Sequence, residues 1–170
     1  ISSYQKRLEK LAITDKLTGV YNRRAFDLLL DQTLKEKRRS GKSFSILLLD
    51  LDLFKDVNDN FGHLAGDKTI QEVVKLLQMS IREADIICRW GGEEFLLILK
   101  GCDLDNAGVM AESLRKKVEN AVVDYQNKKI SVTVSLGVAE FRSGENEDEL
   151  LRRADKALYK AKAKGRNRVE

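Results

Sequence analysis

The stretch Phe44–Leu51, FSILLLDL, constrains the fold more than any other feature of the chain. It is nearly all apolar, of strand length, and does not alternate. Such a run belongs in the interior of a sheet, not at a solvated edge. It also ends in acid, with Asp50 inside it and Asp52 just beyond. A buried strand is thus predicted to deliver carboxylates to its carboxyl end. The rest of the 170-residue chain supports one domain around such a strand. With 42% hydrophobic and 34% charged residues, it is too apolar for a disordered segment and holds enough to bury a core.

Spacing places the other elements. Ile1 to Leu11 suits a helix entering from upstream, and the non-Met start suggests a piece of a longer chain. Asn22 can cap a helix running to Ser40, with Gly41 as its stop. Phe54–Phe61 reads as a short helical turn and His63–Glu83 as a helix. Asp85–Trp90 and Phe95–Leu99 read as strands of a hairpin around Gly91-Gly92-Glu93-Glu94. Asn106–Val123 is a predicted helix, Ile130–Ala139 a strand, and Glu147–Lys164 a terminal amphipathic helix. This order is that of an α+β, ferredoxin-like (split βαβ) sheet with flanking helices, expected on one face. In that topology the first strand lies antiparallel beside the third, so Asp50 meets Glu93 and Glu94 at one edge.

Asp50, Asp52, Glu93 and Glu94 cannot all share an edge ionised unless a cation joins them. Hard oxygen donors without His or Cys point to Mg²⁺ or Mn²⁺. Mg²⁺ typically takes one or two carboxylates plus substrate phosphates, which makes a nucleoside triphosphate the natural partner. Two ions about 4 Å apart could activate a hydroxyl and stabilise departing pyrophosphate. Solvated acids at strand ends give the same pattern. The Gly91-Gly92 step lets backbone approach a bulky anion and tolerates positive φ, as do hairpins that bind nothing. Lys55 could reach phosphate or simply be a surface lysine. Asn58 and Asp67 can read guanine, the amide with a donor and an acceptor, the carboxylate by accepting from N1–H and the 2-amino group. Both are equally good capping residues. Lys162 and Arg166 could clamp a triphosphate from the end of the last helix, where the helix dipole favours bases in any case.

Other chemistries fail. Gly41-Lys42-Ser43 ends like a P-loop, but Glu36 stands where its first glycine is needed. Asp50–Phe61 begins like an EF-hand loop, but Lys55 and Phe61 occupy the obligatory glycine and glutamate positions. Cys88 and Cys102 have no metal spacing and suggest a reducing compartment. No apolar run approaches the roughly 18 residues that span a bilayer, and no signal peptide is evident. Net charge is only +4, with the bases spread along the chain. No long basic groove is expected, so nucleic acid is not an expected partner and a polymerase-like activity is disfavoured.

Gly91-Gly92-Glu93-Glu94-Phe95 resembles the signature of the GGDEF family of bacterial diguanylate cyclases, in its GGEEF form. DKLTGVYNRR (15–24), DLDLFKDVNDNFGHLAGD (50–67), SLGVA (135–139) and RADKALYKAKAKGRNR (153–168) resemble its other blocks, in order, from Thr14 to Arg168. The resemblance implies a fold of nucleotide-cyclase/polymerase-palm type. It implies condensation of two GTP into cyclic di-GMP and pyrophosphate across a homodimer of half-sites, each with two Mg²⁺ or Mn²⁺ ions. Asp50, the Leu51 carbonyl, Glu93 and Glu94 would bind metal, and Glu93 would also assist deprotonation of the 3′-hydroxyl. Asn58 and Asp67 would read guanine, with Leu17 lining its pocket. Phe54, Lys55, Lys162 and Arg166 would hold phosphates, Lys55 counting among the catalytic groups. Gly92 would lie against the nucleotide, with His63 a further substrate contact. Aspartate at 67, where relatives making mixed GMP–AMP dinucleotides have serine, favours two guanines. Arg82-Glu83-Ala84-Asp85 looks like the family's RxxD inhibitory site, where Arg82 would pair with product and Asp85 orient it.

Residues 1–13 are then the stub of a signalling helix from an upstream sensor, and 14–170 the catalytic domain. The expected location is cytoplasmic, with the full-length protein tethered to a membrane or not. The alternative reading is a non-catalytic module that binds GTP or cyclic di-GMP and signals to a partner. The intact acids at 50, 93 and 94 argue against it.

Overall fold

A computed structural model describes residues 2–170, apart from the side chains of Leu8 and Leu11. The part of the expected entry helix that rests on Ile1 and on those two side chains lies outside the described residues. Along the chain run α1 (Ser3–Ile13), α2 (Arg23–Ser40), β1 (Phe44–Leu51), α3 (Phe54–Phe61), α4 (His63–Ser80), β2 (Ile86–Arg89) and β3 (Glu94–Lys100). They are followed by α5 (Leu104–Asn120), β4 (Val123–Tyr125), β5 (Lys128–Ile130), β6 (Val134–Glu140) and α6 (Glu147–Ala163). The main sheet has the order β2-β3-β1-β6, with every pairing antiparallel. This is the split βαβ arrangement, and β1 is central in it.

The apolar run of β1 is explained by helices on both faces, not on one as the sequence suggested. Leu47, Leu49 and Leu51 face a core with Ile70, Val73 and Leu77 of α4 and Ala107, Ala111 and Leu114 of α5. Phe44, Ile46 and Leu48 face the opposite core, with Phe26 and Leu30 of α2 and Leu150, Ala154 and Leu158 of α6. Period-2 alternation then sends every residue into one core or the other, and the whole strand is buried. Each such side chain contributes about 1.5–3 kcal/mol on burial.

Both edges of this sheet are covered by terminal segments. Tyr21 bridges to Cys88, donating its N–H to the Ile87 carbonyl (3.2 Å) and accepting from the Arg89 N–H (2.8 Å). On the far side, Leu136 donates to the Arg168 carbonyl (2.9 Å) and Val138 to the Glu170 carbonyl (2.9 Å). Edge strands left bare invite pairing with other chains, so the ends of the domain complete the sheet as well as connect it.

Helix ends follow local chemistry. The Asn22 side chain accepts from Ala25 N–H (3.0 Å), and Gly41 stops α2 at φ 75°. α4 ends at Ser80, short of Glu83, because Asp85 builds its own turn, accepting from the Arg82 N–H (3.0 Å). The expected strand 130–139 is divided. Ile130 belongs to a separate hairpin, β4–β5, which turns at Gln126 (φ 48°) and Asn127 (φ 64°). Two consecutive positive-φ residues make a tight hairpin turn, and without a glycine the sequence signal is faint. Among the described side chains of α1, all but Ile13 are exposed. Among the described residues no helix is long and apolar enough to cross a membrane.

Gly137 of β6 sets how closely α6 can lie. A Cβ there would come within 2.3 Å of the Ala154 carbonyl oxygen and 2.5 Å of the Leu158 nitrogen, both helix backbone. Gly137→Ala is therefore expected to cost about 3 kcal/mol, the upper part of the usual overpacking range. For a chain of this size that lowers the thermal midpoint by about 6–12 °C, measurable by circular dichroism. An unchanged midpoint would show that α6 can retreat freely.

Candidate active site at the carboxyl end of the central strand

The antiparallel register of β1 and β3 sets Asp50 directly opposite Glu94, and the Leu51 N–H donates to the Glu93 carbonyl at 3.2 Å. The acids separated by more than forty residues thus meet as topology required. Asp50 is only 6% exposed. Its Oδ2 pairs with the Lys162 ammonium of α6, while its Oδ1 is buried without a hydrogen-bond partner. Burial pushes the Asp50 carboxyl above its ordinary range; Lys162 opposes this, and Glu93 and Asp52 add to it. Burial likewise raises Glu94, with Asp50 next in effect and Lys162 again opposing.

Asp52 does not join this edge. Its carboxylate accepts from the Thr133 hydroxyl (2.7 Å), the Ser135 hydroxyl (2.6 Å) and the Asn167 N–H (3.0 Å). A carboxylate so engaged is part of the scaffold.

The signature turn between β2 and β3 is held by arginines that the sequence reading left without a role. Arg89 donates through Nε (3.1 Å) and Nη2 (2.7 Å) to the Gly92 carbonyl. Its Nη1 lies 3.2 Å from both Asp15 carboxylate oxygens. Burial pushes Asp15 upward, but Thr18 and Arg89 outweigh it and hold the carboxyl below its ordinary value. The Arg23 guanidinium lies 4.1 Å from the centre of the Trp90 ring, which meets Phe26 edge-on at 5.1 Å. Neither Gly91 nor Gly92 uses a left-handed conformation, so that reason for the glycines falls away. Close approach remains: nothing lies within 4 Å of where a Gly92 Cβ would be.

Beside the turn lies a cavity of about 290 Å³ lined by Phe54, Lys55 and Asn58 of α3, His63, Asp67 and Ile70 of α4, and Arg89, Gly92 and Glu93. The structure therefore gathers most of the expected substrate residues around one space. Gly62, at φ 91° and ψ 163°, joins α3 to α4 and folds them together. Gly66 completes that approach. A Cβ on it would stand 1.9 Å from the Asn58 Oδ1, so its absence lets the amide lie across α4. A larger concavity of about 880 Å³ beside Leu76 and Val109 contains none of the expected residues.

Two expectations are placed differently, and a third pair lies apart from the cavity. Leu17 does not line the cavity; it packs half-buried against the α4 core, its carbonyl accepting from Gln71 at 3.1 Å. Arg166 is not a helical neighbour of Lys162. α6 ends at Ala163, and Arg166 sits in the following turn at φ 64°. Arg82 and Asp85 pair with each other (2.9 Å) beside Lys100, at the opposite end of β3 from Glu94.

Among the described residues no three or more His, Cys, Asp or Glu side chains gather closely enough to hold an ion unaided. A cation site shared with substrate phosphates needs no such cage. The donor set fits one: hard oxygens only, one of them, Asp50 Oδ1, buried and unpartnered. A carboxyl whose pKa folding raises stabilises the native state only below its unfolded value, and that contribution is lost as pH rises through the folded one. Asp50→Asn is therefore expected to raise the thermal midpoint at neutral pH, by about 2–4 °C for each kcal/mol relieved. The gain should disappear as pH falls below about 3.9, where both side chains are neutral. Calorimetry across pH checks both the sign and the window.

The family described as "Diguanylate cyclase, GGDEF domain" matches residues 12–168. The chain is 39% identical over 173 residues to Diguanylate cyclase A of Treponema denticola, covering 99% of this chain and 47% of that protein. It is 42% identical over 166 residues to Diguanylate cyclase VdcA of Vibrio cholerae, covering 96% and 48%. It thus spans about half the length of these relatives. Among solved structures, the coiled coil and GGDEF domain of DgcB from Caulobacter crescentus in complex with c-di-GMP superposes with a TM-score of 0.92. That likeness is at 32% identity over 98% of this chain and 88% of the other. With the signature turn, the acid pair and the sheet order in agreement, the chain belongs to the diguanylate cyclase GGDEF domain family.

Proposed function

We propose that the chain condenses two molecules of GTP into one cyclic di-GMP and two pyrophosphates, across a dimer in which each copy holds one nucleotide. The observation that carries this reading is the shared cavity. Asn58, Asp67, Lys55 and Glu93 border one space, next to the edge where the buried Asp50 stands opposite the half-buried Glu94.

The Asn58 amide offers a donor and an acceptor to the guanine edge, and the Asp67 carboxylate accepts from N1–H and the 2-amino group. Lys55 and Lys162 neutralise phosphate charge, with Arg166 reaching in from the turn after α6; Lys162 exchanges its pairing with Asp50 for a phosphate. Divalent cations, Mg²⁺ or Mn²⁺ and two per half-site, would be held by Asp50, the Leu51 carbonyl, Glu93 and Glu94. When bound they would supply Lewis-acid stabilisation of the α-phosphate and of the departing pyrophosphate. Glu93 accepts the proton of the ribose 3′-hydroxyl as its oxygen bonds to the α-phosphorus of the other GTP. The bond from that phosphorus to the bridging oxygen breaks, and pyrophosphate leaves. Performed twice, this closes the ring.

A chain with one such cavity needs a second copy to bring two nucleotides together. The exposed α1 suits pairing with its own copy as the end of a coiled coil, and the DgcB structure contains a coiled coil beside its GGDEF domain. In this reading residues 1–13 transmit the signal of an upstream sensor and 14–170 catalyse in the cytoplasm. Arg82, half exposed on a buried Asp85, would take product as an inhibitor.

Incubating concentrated protein with GTP and Mg²⁺ should yield pyrophosphate and cyclic di-GMP. Glu93→Gln should lower kcat by at least about 100-fold, the usual scale for losing a general base; undiminished turnover would remove Glu93 from the mechanism. Gly66→Ala probes the base pocket. The new methyl displaces the Asn58 side chain and presses on the edge of the Phe54 ring at 3.0 Å, so KM for GTP should rise about tenfold, the loss of one good hydrogen bond, with only a small fall in the thermal midpoint. An unaltered KM would separate Asn58 from guanine.

A further inference from the structure

We infer that Asp52 is a positioning residue: its clamp to Thr133, Ser135 and Asn167 holds Leu53 in a left-handed conformation and so sets the backbone path from Leu51 to Lys55 that the active site uses. The inference rests on the functional reading above and goes beyond it to a residue outside the cavity.

Leu53 is a non-glycine residue at φ 53° and ψ 35°. That region is sterically unfavourable for a side chain with a Cβ. Its carbonyl accepts from the Asp56 N–H (3.0 Å) at the start of α3, but its side chain is 58% exposed and makes no cap bond. The neighbouring Asp52 adds the anchoring that this side chain does not supply. Asp52 is 7% exposed, its N–H donates to the Thr133 carbonyl at 2.9 Å, and its carboxylate takes three donors on two oxygens. Strain held this way collects at functional sites, and here it separates the proposed metal-binding carbonyl of Leu51 from Phe54 and Lys55 of the nucleotide cavity.

The donors come from distant elements. Thr133 and Ser135 flank the start of β6, and Asn167 follows α6. Asn167 is itself anchored, its Nδ2 donating to Glu119 (2.6 Å) and its Oδ1 accepting from Arg115 (2.8 Å), both on α5. Thr133 and Asn167 share one carboxylate oxygen and Ser135 holds the other. An amide could keep this pattern, its N–H₂ donating to a rotated Ser135 hydroxyl, whereas alanine at position 52 removes all three bonds.

The test measures Mn²⁺ binding by electron paramagnetic resonance, in the presence of a GTP analogue with a methylene bridge between the α- and β-phosphates. Asp52→Ala, and Thr133→Val as a milder variant that keeps the acid, should weaken Mn²⁺ binding about tenfold or more, the usual effect of losing an outer-shell partner. Adding Leu53→Gly, which accepts the left-handed region without strain, should restore most of it. Mn²⁺ affinity unaltered in both single variants overturns the inference. So does a loss that Leu53→Gly fails to repair, because Asp52 would then act other than through this conformation. A wild-type chain that binds no Mn²⁺ with the analogue overturns the functional reading and this inference together.

Discussion

A carboxylate at the buried end of an apolar strand is the interaction around which the domain is organised. Asp50 cannot be solvated where β1 ends, and Glu94 stands directly across from it. Burial raises the proton affinity of both, Glu93 adds to that of Asp50 and Asp50 to that of Glu94, and such a cluster requires positive charge nearby. Lys162 supplies part of it from α6 and leaves one oxygen of Asp50 without a partner. An arrangement that costs stability in isolation is what a site awaiting cations and a polyphosphate needs. The apolar strand keeps Asp50 out of water and in fixed register with Glu94, which strengthens whatever charge it meets.

The supporting structure is arranged around that strand. Gly137 brings α6 against the sheet and with it Lys162 to Asp50. Gly62 and Gly66 fold α3 onto α4 and give the cavity its wall of Asn58 and Asp67. The two ends of the chain fasten opposite sides of the site. Asp15 holds Arg89, which holds the Gly92 carbonyl, and Asn167 holds Asp52, which lies within the Leu51–Lys55 segment.

Local signals carried the sequence reading a long way. Asn22 and Gly41 bound α2 at the expected residues because capping is a short-range affair. The signature, Asn58 and Asp67 were legible because they cluster in recognisable blocks. The β4–β5 hairpin was not, since Gln126-Asn127 turns without glycine. Two-sided burial of β1 was implicit in its failure to alternate, yet the topology alone did not say which helices lie on which face.

The sequence by itself determined that a buried strand would end in acid, that a glycine turn would carry two more acids, and that Asn58, Asp67 and several basic residues stood in ordered blocks around them. Those facts depend on side-chain chemistry and on contacts a few residues apart. Tertiary structure decided the partners. It sent Asp52 to Thr133, Ser135 and Asn167 instead of to the acid edge, moved Leu17 out of the cavity wall, took Arg166 off the helix, and tied Arg89 to Asp15 across seventy-four residues. The reason is physical: a carboxylate's role is set by which donors reach it, and those donors arrive through long-range packing that no local pattern encodes.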